Sequence, residues 1–242
     1  MLDIIGHIKI DESKSERVKY FLSSLRSCYE YTKFCKIILS LDTPSETLWN
    51  TVLSELETSN CNFELHKNIN LGSYGETYMN LLTKSVKPFI LNFIEDHFCL
   101  INNKIFYELL KNMEILNIDV CKSTFFQIEQ NSAKHMHFFK EDNYGKYYIN
   151  NLKTHNEYQK FYGTRYYIGV NFITKREFAL KFWNRKLGMR PHGYEVSSYE
   201  KEYEHNCMIP NIEIQSSIDD DHGESNTCLL NRNELKYINL IK

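Results

Sequence analysis

The sequence contains little glycine and proline. It has 9 Gly and 4 Pro among 242 residues, where average usage of roughly 7% and 5% predicts about 17 and 12. Most turns must therefore be built from Asn, Asp and Ser. Each glycine is a candidate position for a positive φ or a close approach of the backbone. An excess of positive charge is also missing, because 29 Lys and Arg stand against 31 Asp and Glu. Near-neutral charge argues against a dedicated nucleic-acid binder, so we expect no nucleic-acid partner.

Long hydrophobic runs and paired cysteines are absent as well. No apolar run approaches the ~20 residues of a membrane-spanning helix, and the start of the chain lacks the basic and apolar regions of a secretion signal. We therefore expect a cytoplasmic protein, at most peripherally associated with a membrane. The seven cysteines include no Cys-x-x-Cys pair, so we expect reduced thiols, several of them buried, and no disulfide framework.

Three glycine-containing motifs are missing from the chain: the P-loop, the dinucleotide fingerprint and the nucleophile elbow of serine hydrolases. Their absence argues against P-loop kinases, common dinucleotide enzymes and serine hydrolases.

What the first half does contain is an alternation of strand and helix patterns. It predicts an α/β fold with a mostly parallel central sheet flanked by helices. Strands are predicted at 4–10, 36–40, 62–66 and 88–100, and helices at 15–31, 46–56 and 74–85.

The regular alternation of strand and helix patterns ends after residue 130. Residues 131–162 have no clear period and are expected to form an excursion beside a cleft or a mobile loop; His135 and His137, within them, are expected to be exposed. The remaining predictions are a strand at 166–173, a helix at 175–187, a loop at 188–200 leading into a helix with Glu204, and a last strand at 211–218. No repeat or linker interrupts the chain, so we expect a single domain.

The strongest polar constellation is Glu95-Asp96-His97, directly after an apolar strand pattern. Open α/β sheets bind ligands at the carboxyl ends of their strands. In a continuous strand, Glu95 and His97 would project to the same side and could hold a divalent cation. A polar strand end with Asp96 capping a turn is an equally good interpretation of the triplet alone.

The surroundings of the triplet resemble the nucleotide-sugar-binding half of GT-A-fold glycosyltransferases, particularly the family 2 type. Such enzymes have an Asn-x-Gly turn before a helix, an Asn within that helix, and an Asp-x-Asp motif at the end of the next strand. Here Asn70-Leu71-Gly72, Asn80 and Glu95-Asp96-His97 occupy those places.

The resemblance extends to the opening strand, helix and strand. Asp42 and Ser45 match the acidic residue and the serine that receive the nucleoside base. By this resemblance, residues 1–125 form the nucleotide-sugar-binding half and residues 126–242 the acceptor-binding half.

The triplet departs from the family pattern at His97, where a carboxylate is expected. Histidine binds manganese and other transition metals well but suits magnesium poorly. The resemblance therefore implies a divalent cofactor at Glu95 and His97, with Mn²⁺ favoured over Mg²⁺. A metal-independent enzyme, in which His97 donates a hydrogen bond to the diphosphate, remains an alternative.

In the second half, the resemblance implies a general base that takes the proton of the acceptor hydroxyl. Glu195 is the first candidate because it follows the glycine-containing stretch Met189–Tyr194, and Glu200 is the second. A simple helix-terminal acid is the competing interpretation of Glu195.

Other second-half residues match parts of the phosphate site. His222, within Asp219-Asp-Asp-His-Gly-Glu, matches the late histidine that many GT-A enzymes contribute to the metal or diphosphate; a solvated acidic loop explains it equally well. Arg190, Lys175 and Arg176 are basic candidates for phosphate binding.

These residues together predict a glycosyltransferase that moves a sugar from a nucleotide-sugar donor to a hydroxyl of a glycan or glycolipid, with inversion. The resemblance, which the composition and size suit, implies a bacterial surface-polysaccharide or lipopolysaccharide enzyme. The alternatives are a nucleotidyltransferase acting on sugar phosphates and a non-catalytic carbohydrate-binding protein with the same fold. The first of these usually has a glycine-rich basic loop after the first strand, and residues 10–17 contain no glycine.

Overall fold

The computed structural model describes residues 2–10, 15–29, 35–67, 74–95, 97–122, 137–150, 171–183, 204–211 and 214–217. The helices are α1 (Ser15–Ser27), α2 (Glu46–Thr58), α3 (Tyr74–Lys84), α4 (Asn103–Ile115) and α5 (Arg176–Trp183). The strands are β1 (Leu2–Lys9), β2 (Lys36–Asp42), β3 (Asn62–Lys67), β4 (Phe89–Asn92), β5 (His97–Cys99), β6 (Val120–Lys122), β7 (His137–Glu141), β8 (Gly145–Asn150), β9 (Asn171–Lys175), β10 (His205–Pro210) and β11 (Gln215–Ser217).

Nine of these strands form one sheet in the order β3-β2-β1-β4-β9-β6-β10-β8-β7. Strands β3, β2, β1 and β4 are mutually parallel, and β6, β10 and β7 share their direction, while β9 and β8 run opposite to them. The predicted α/β class with a mostly parallel sheet is confirmed. Strands β5 and β11 form a separate antiparallel pair.

The hydrophobic core lies on both faces of the sheet. One face packs against α1, α2 and α4, through residues such as Phe21, Val52 and Phe106. The other packs against α3 and α5, through Leu81 and Ala179 among others. Both faces of β1 and β2 are therefore covered, which explains why these strands appear in the sequence as near-continuous apolar runs.

Polar side chains cap the N-termini of α2 and α4. The Ser45 hydroxyl accepts a hydrogen bond from the Leu48 amide (3.0 Å) and caps α2. The Asn102 side chain likewise caps α4 through the Ile105 amide (3.1 Å). Each cap satisfies an amide that the first helical turn leaves without an intrahelical partner.

Several predicted boundaries are wrong. The pattern at 88–100 is two strands, β4 and β5, separated by a turn. Residues 137–150 form the β7–β8 hairpin at the sheet edge, where only an irregular excursion was predicted. The strand predicted at 211–218 is the shorter β11, and a further strand, β10, precedes it. Glu204, which was predicted on a helix, lies directly before β10 and outside a helix.

Candidate functional site

The candidate site lies at the carboxyl edge of β2, β1 and β4. Because β2 lies on one side of β1 and β4 on the other, the chain reverses its direction of travel across the sheet here. Such a reversal leaves a crevice outside the carboxyl ends of the two strands, which is where open α/β sheets bind ligands.

Asp42 ends β2 at this edge and is paired in register with Lys9 of β1. Its charge acts on the nearby His7, whose pKa is lowered by burial, with Asp42 partly opposing that effect. His7 and Asp42 therefore lie close together. Ser45, the other residue predicted here, uses its hydroxyl to cap α2, so its contact with a nucleoside stays a prediction.

Glu95 lies in the turn between β4 and β5, where Arg17 of α1 donates to its carboxylate. His97 is the first residue of β5 and only 3% exposed. Its amide donates to the carbonyl of Ile94 (3.2 Å), which closes the turn, and its carbonyl accepts from Ser24 of α1. The prediction that Glu95 and His97 lie on one strand is wrong, because β4 ends at Asn92 and Glu95 lies in a turn before β5.

Of the three predicted metal ligands, the structure describes Glu95 and His97, so the metal site stays a prediction. Among the described residues, no group of three or more His, Cys, Asp or Glu side chains is placed to hold a metal ion. The Glu95 carboxylate is ion-paired with Arg17, a cation that competes for the same oxygens. His222, the third predicted metal ligand, and Asp96, predicted to contact the nucleotide sugar, lie outside the described residues.

The end of the described chain returns to the same turn. In the β5–β11 pair, Ser217 lies opposite His97 and Ser216 opposite Phe98. His222 follows Ser217 by five residues in the sequence and lies outside the described residues.

A polar network that the sequence analysis missed joins α3, β4 and β9 beside the site. The Tyr78 hydroxyl donates to the side-chain oxygen of Asn92, and the Asn92 amide donates to the hydroxyl of Thr174 (2.9 Å). Tyr78 also stacks on Trp183 at the end of α5, with ring centroids 4.8 Å apart. The helical spacing of Tyr78 with the buried Leu81 is the signal that could have identified it.

Asn80, the residue predicted on α3, is half-buried and lies two positions past Tyr78. The residue of α3 that donates a hydrogen bond to Asn92 is Tyr78. A role for Asn80 in donor binding stays a prediction.

Five predicted site residues remain outside the described residues: Asn70, Gly72, Arg190, Glu195 and Glu200. Their roles stay predictions.

Two basic candidates are placed away from the site. The amide of Arg176 donates to Pro88, before β4 (2.7 Å), and the Lys175 ammonium donates to Asn117 (2.7 Å). Both residues therefore lie at the amino edge of the sheet, opposite the candidate site, and their predicted role in binding phosphate at that site is wrong.

The fold is that of GT-A-type transferases. TarS of S. aureus, residues 1–349, superposes with a TM-score of 0.58 and 11% identity, over 89% of this chain and 60% of that one. The same protein in complex with UDP gives 0.57 and 11% over 88% and 59%. Apo UDP-glucose pyrophosphorylase gives 0.51 and 7% over 87% and 91%. The chain thus spans about three fifths of the TarS structures.

No protein-family model matches the chain, and the comparison with curated proteins gives no match. None of the described helices is both long and apolar enough to cross a membrane.

Proposed function

We propose that the protein is a glycosyltransferase that moves a sugar from a nucleotide-sugar donor to a hydroxyl of a glycan or glycolipid acceptor. The observation that carries this proposal is the reversal of strand order at β1, where Asp42 and the Glu95–His97 turn come to one edge of a fold shared with TarS. The complex of TarS with UDP supports a nucleotide as the ligand of this fold.

Within this proposal Asp42 contacts the nucleoside base, and the Glu95–His97 turn, with Asn70, Gly72, Asn80 and Arg190, holds the diphosphate and sugar. His97 donates a hydrogen bond to the diphosphate, so that no step depends on a metal. A cation at Glu95, His97 and His222, with Mn²⁺ favoured over Mg²⁺, stays a prediction, because Arg17 occupies the Glu95 carboxylate in the structure.

The chemical step is a direct displacement. The acceptor oxygen bonds to the anomeric carbon as the bond from that carbon to the diphosphate oxygen breaks, which inverts the centre. Glu195 takes the proton of the acceptor hydroxyl as general base, and Glu200 takes this role if Glu195 proves dispensable. For a glycolipid acceptor, the proposal places the enzyme at the inner face of the membrane.

A nucleotidyltransferase is the second candidate function. It is favoured by the likeness to UDP-glucose pyrophosphorylase, of which 91% is covered. Such an enzyme joins a nucleoside triphosphate to a sugar phosphate and releases pyrophosphate. Residues 10–17, which contain no glycine, argue against it.

Thermal unfolding with a panel of nucleotide sugars tests the proposal. A ligand at 100 times its Kd adds about 2.7 kcal/mol to the free energy of unfolding, which raises the Tm of a chain of this size by about 5–11 °C. The donor identified in this way is then assayed for transfer and hydrolysis. If no nucleotide sugar binds or is hydrolysed, with or without Mn²⁺, the proposal fails. Pyrophosphate release from a nucleoside triphosphate and a sugar 1-phosphate would instead establish the second function.

Glu195→Gln tests the base. The variant is expected to bind the donor normally and to lose transfer by about 100-fold or more, since general-base catalysis contributes roughly 10²–10⁴-fold. Glu177→Gln, at an exposed position of α5, is the matched control and should transfer like the wild type. Unchanged turnover of Glu195→Gln would remove Glu195 from the mechanism and move the test to Glu200.

A further inference from the structure

Cys28 and Cys99 form a pair of thiols where α1 meets β5. Their sulfur atoms lie 3.6 Å apart, at hydrogen-bonding distance, although the two residues are 71 positions apart in the sequence. Both are free thiols in the structure. Cys28 directly follows α1 and is only 1% exposed, whereas Cys99 ends β5 and is half-buried. The fold therefore brings together two sulfur atoms that the sequence keeps far apart.

Hydrogen bonds between the same two elements hold the backbone beside each sulfur. The hydroxyl of Ser27, the residue before Cys28, accepts from the amide of Cys99 (3.0 Å). The hydroxyl of Ser24 donates to the carbonyl of His97, two residues before Cys99. Because the backbone is fixed on both sides, little further entropy is lost when a bond forms between the two sulfur atoms.

The geometry leaves a short path from the two thiols to a disulfide. The sulfur atoms of a disulfide lie about 2.05 Å apart, so this pair has to close by about 1.5 Å from its present distance of 3.6 Å. Cys99 is the more exposed of the two residues, so an oxidant dissolved in water meets it first. Cys28 is then the neighbouring thiol that completes the bond.

The environment of Cys99 sets how fast this reaction runs. The hydrogen bond with Cys28, together with burial, raises the pKa of the Cys99 thiol well above its ordinary value. The pair therefore persists as thiols near pH 7 and oxidises slowly, because the thiolate is the form that attacks. A thiol of raised pKa is also a poor leaving group, so we expect the disulfide, once formed, to be reduced slowly.

We propose that Cys28 and Cys99 are an oxidation site, at which hydrogen peroxide converts the two thiols to a disulfide that ties α1 to β5. The Cys99 sulfur bonds to one peroxide oxygen as the O–O bond breaks, which gives a sulfenic acid and, with the thiol proton, one water. The Cys28 sulfur then bonds to the Cys99 sulfur, and the sulfenic hydroxyl leaves with the Cys28 proton as a second water. The two thiols are oxidised by two electrons, and one peroxide is reduced to two waters. No nucleotide takes part, so the inference stands apart from the proposed function.

Peptide mapping after oxidation of the native wild type tests the inference. The protein is treated with hydrogen peroxide at pH 8, its remaining thiols are blocked with N-ethylmaleimide, and it is digested with trypsin without a reductant. Trypsin releases Cys28 in residues 27–33 and Cys99 in residues 85–104, and neither peptide contains another cysteine. Mass spectrometry should find these two peptides joined, with the mass of their sum less two hydrogens. Two of the seven thiols should be lost.

Cys35 provides the matched control, because it is the competing partner for Cys28. Burial, and in part the charge of Cys28, raise the pKa of Cys35 to about 12, which shows that the two thiols lie near each other. Cys35→Ser should form the Cys28–Cys99 disulfide like the wild type, whereas Cys99→Ser should lose the joined peptide. Oxidation of the wild type in concentrated urea should give a mixture of pairings, since the unfolded chain does not hold these two sulfur atoms together.

Thermal unfolding of the oxidised wild type supplies a measurement that needs no variant. A cross-link that fits the native fold restricts the unfolded chain and should raise the Tm by about 4–16 °C for a chain of this size. Dithiothreitol should return the Tm to its starting value. The inference is overturned if the native protein gives no joined peptide, or if Cys28 is joined to Cys35 instead. A disulfide that leaves the Tm unchanged or lowers it also overturns it, because that cross-link does not fit the native contact of α1 with β5.

Discussion

At the scale of single residues, asparagine takes the left-handed position after two helices, where glycine is usual. Asn60 and Asn117 follow α2 and α4 with φ of 56° and 51°, the left-handed conformation in which helices often end at glycine. Asparagine tolerates this conformation better than other residues with a side chain. These two helices therefore end in a left-handed residue even though glycine is scarce in the chain.

Two glycines, by contrast, are required by close packing. A Cβ on Gly6 would lie 2.9 Å from a ring carbon of Phe93, whereas one on Gly145 would lie 2.6 Å from the backbone oxygen of Ile209. We expect Gly6→Ala to lower the free energy of unfolding by about 1–3 kcal/mol, the usual cost of overpacking. Gly145→Ala should cost more, because a side chain can shift more easily than a paired strand.

Urea unfolding of the two variants checks this order. Gly6 lies in β1 against the residue that follows β4, so Gly6→Ala should also weaken donor binding, while Gly145→Ala should affect stability alone. Equal costs, or a smaller cost for Gly145→Ala, would contradict the steric argument.

At the scale of secondary-structure elements, the turn between β4 and β5 shows how α1 shapes the site. The Ser24 hydroxyl donates to the carbonyls of Ile94 (3.1 Å) and His97, and the Ser27 hydroxyl accepts from the amide of Cys99 (3.0 Å). These bonds replace sheet pairing where the chain leaves β4. The apolar pattern at 88–100 carried no sign of them, because the hydroxyls come from a helix about 70 residues earlier in the chain.

Glu64 links three elements through its carboxylate. Lys36 of β2 and Lys84 of α3 donate to it, and these contacts, that of Lys36 foremost, lower its pKa from 4.5 to about 2. A lowered pKa in the folded state means that the carboxylate stabilises the fold fully above pH 4.5. This contribution is lost as the pH falls towards 2.

Glu64→Gln should therefore lower the free energy of unfolding at pH 7, by about 0.5–1 kcal/mol for a partly exposed pair, and have no effect near pH 2. Urea unfolding from pH 7 to pH 2 measures the difference from the wild type. Glu57→Gln, at an exposed position of α2, is the control. A difference that stayed constant across this range would show that the ion pairs are not its origin.

At the scale of the whole molecule, the sequence predicted the first half of the fold better than the second. Strands β1 to β3 and helices α1 to α3 begin within two residues of their predicted positions, because each has a local period and a polar end. The position of β9 between β4 and β6 has no local signal, since it depends on pairing across more than 50 residues.

This strand order makes the two halves of the chain depend on each other. Residues 1–125 contain β1 to β6, but β4 and β6 are joined only through β9, from the second half. Without β9, both strands would expose unpaired edges, and Ile173 would leave the core that it shares with Leu91 and Cys121. We therefore expect the full chain to unfold in a single transition and residues 1–125 alone to show no cooperative unfolding.

Urea titrations followed by circular dichroism test both expectations, and adding residues 126–242 in trans should restore cooperative unfolding. Hydrogen exchange supplies a second measurement: amides of β4 and β6 should exchange only through global opening in the full chain and lose their protection in the fragment. If the fragment unfolds cooperatively with the midpoint of the full chain, the first half is an autonomous domain. The crevice beside β1 would then not need the second half for its structure, and nucleotide binding by residues 1–125 alone would follow.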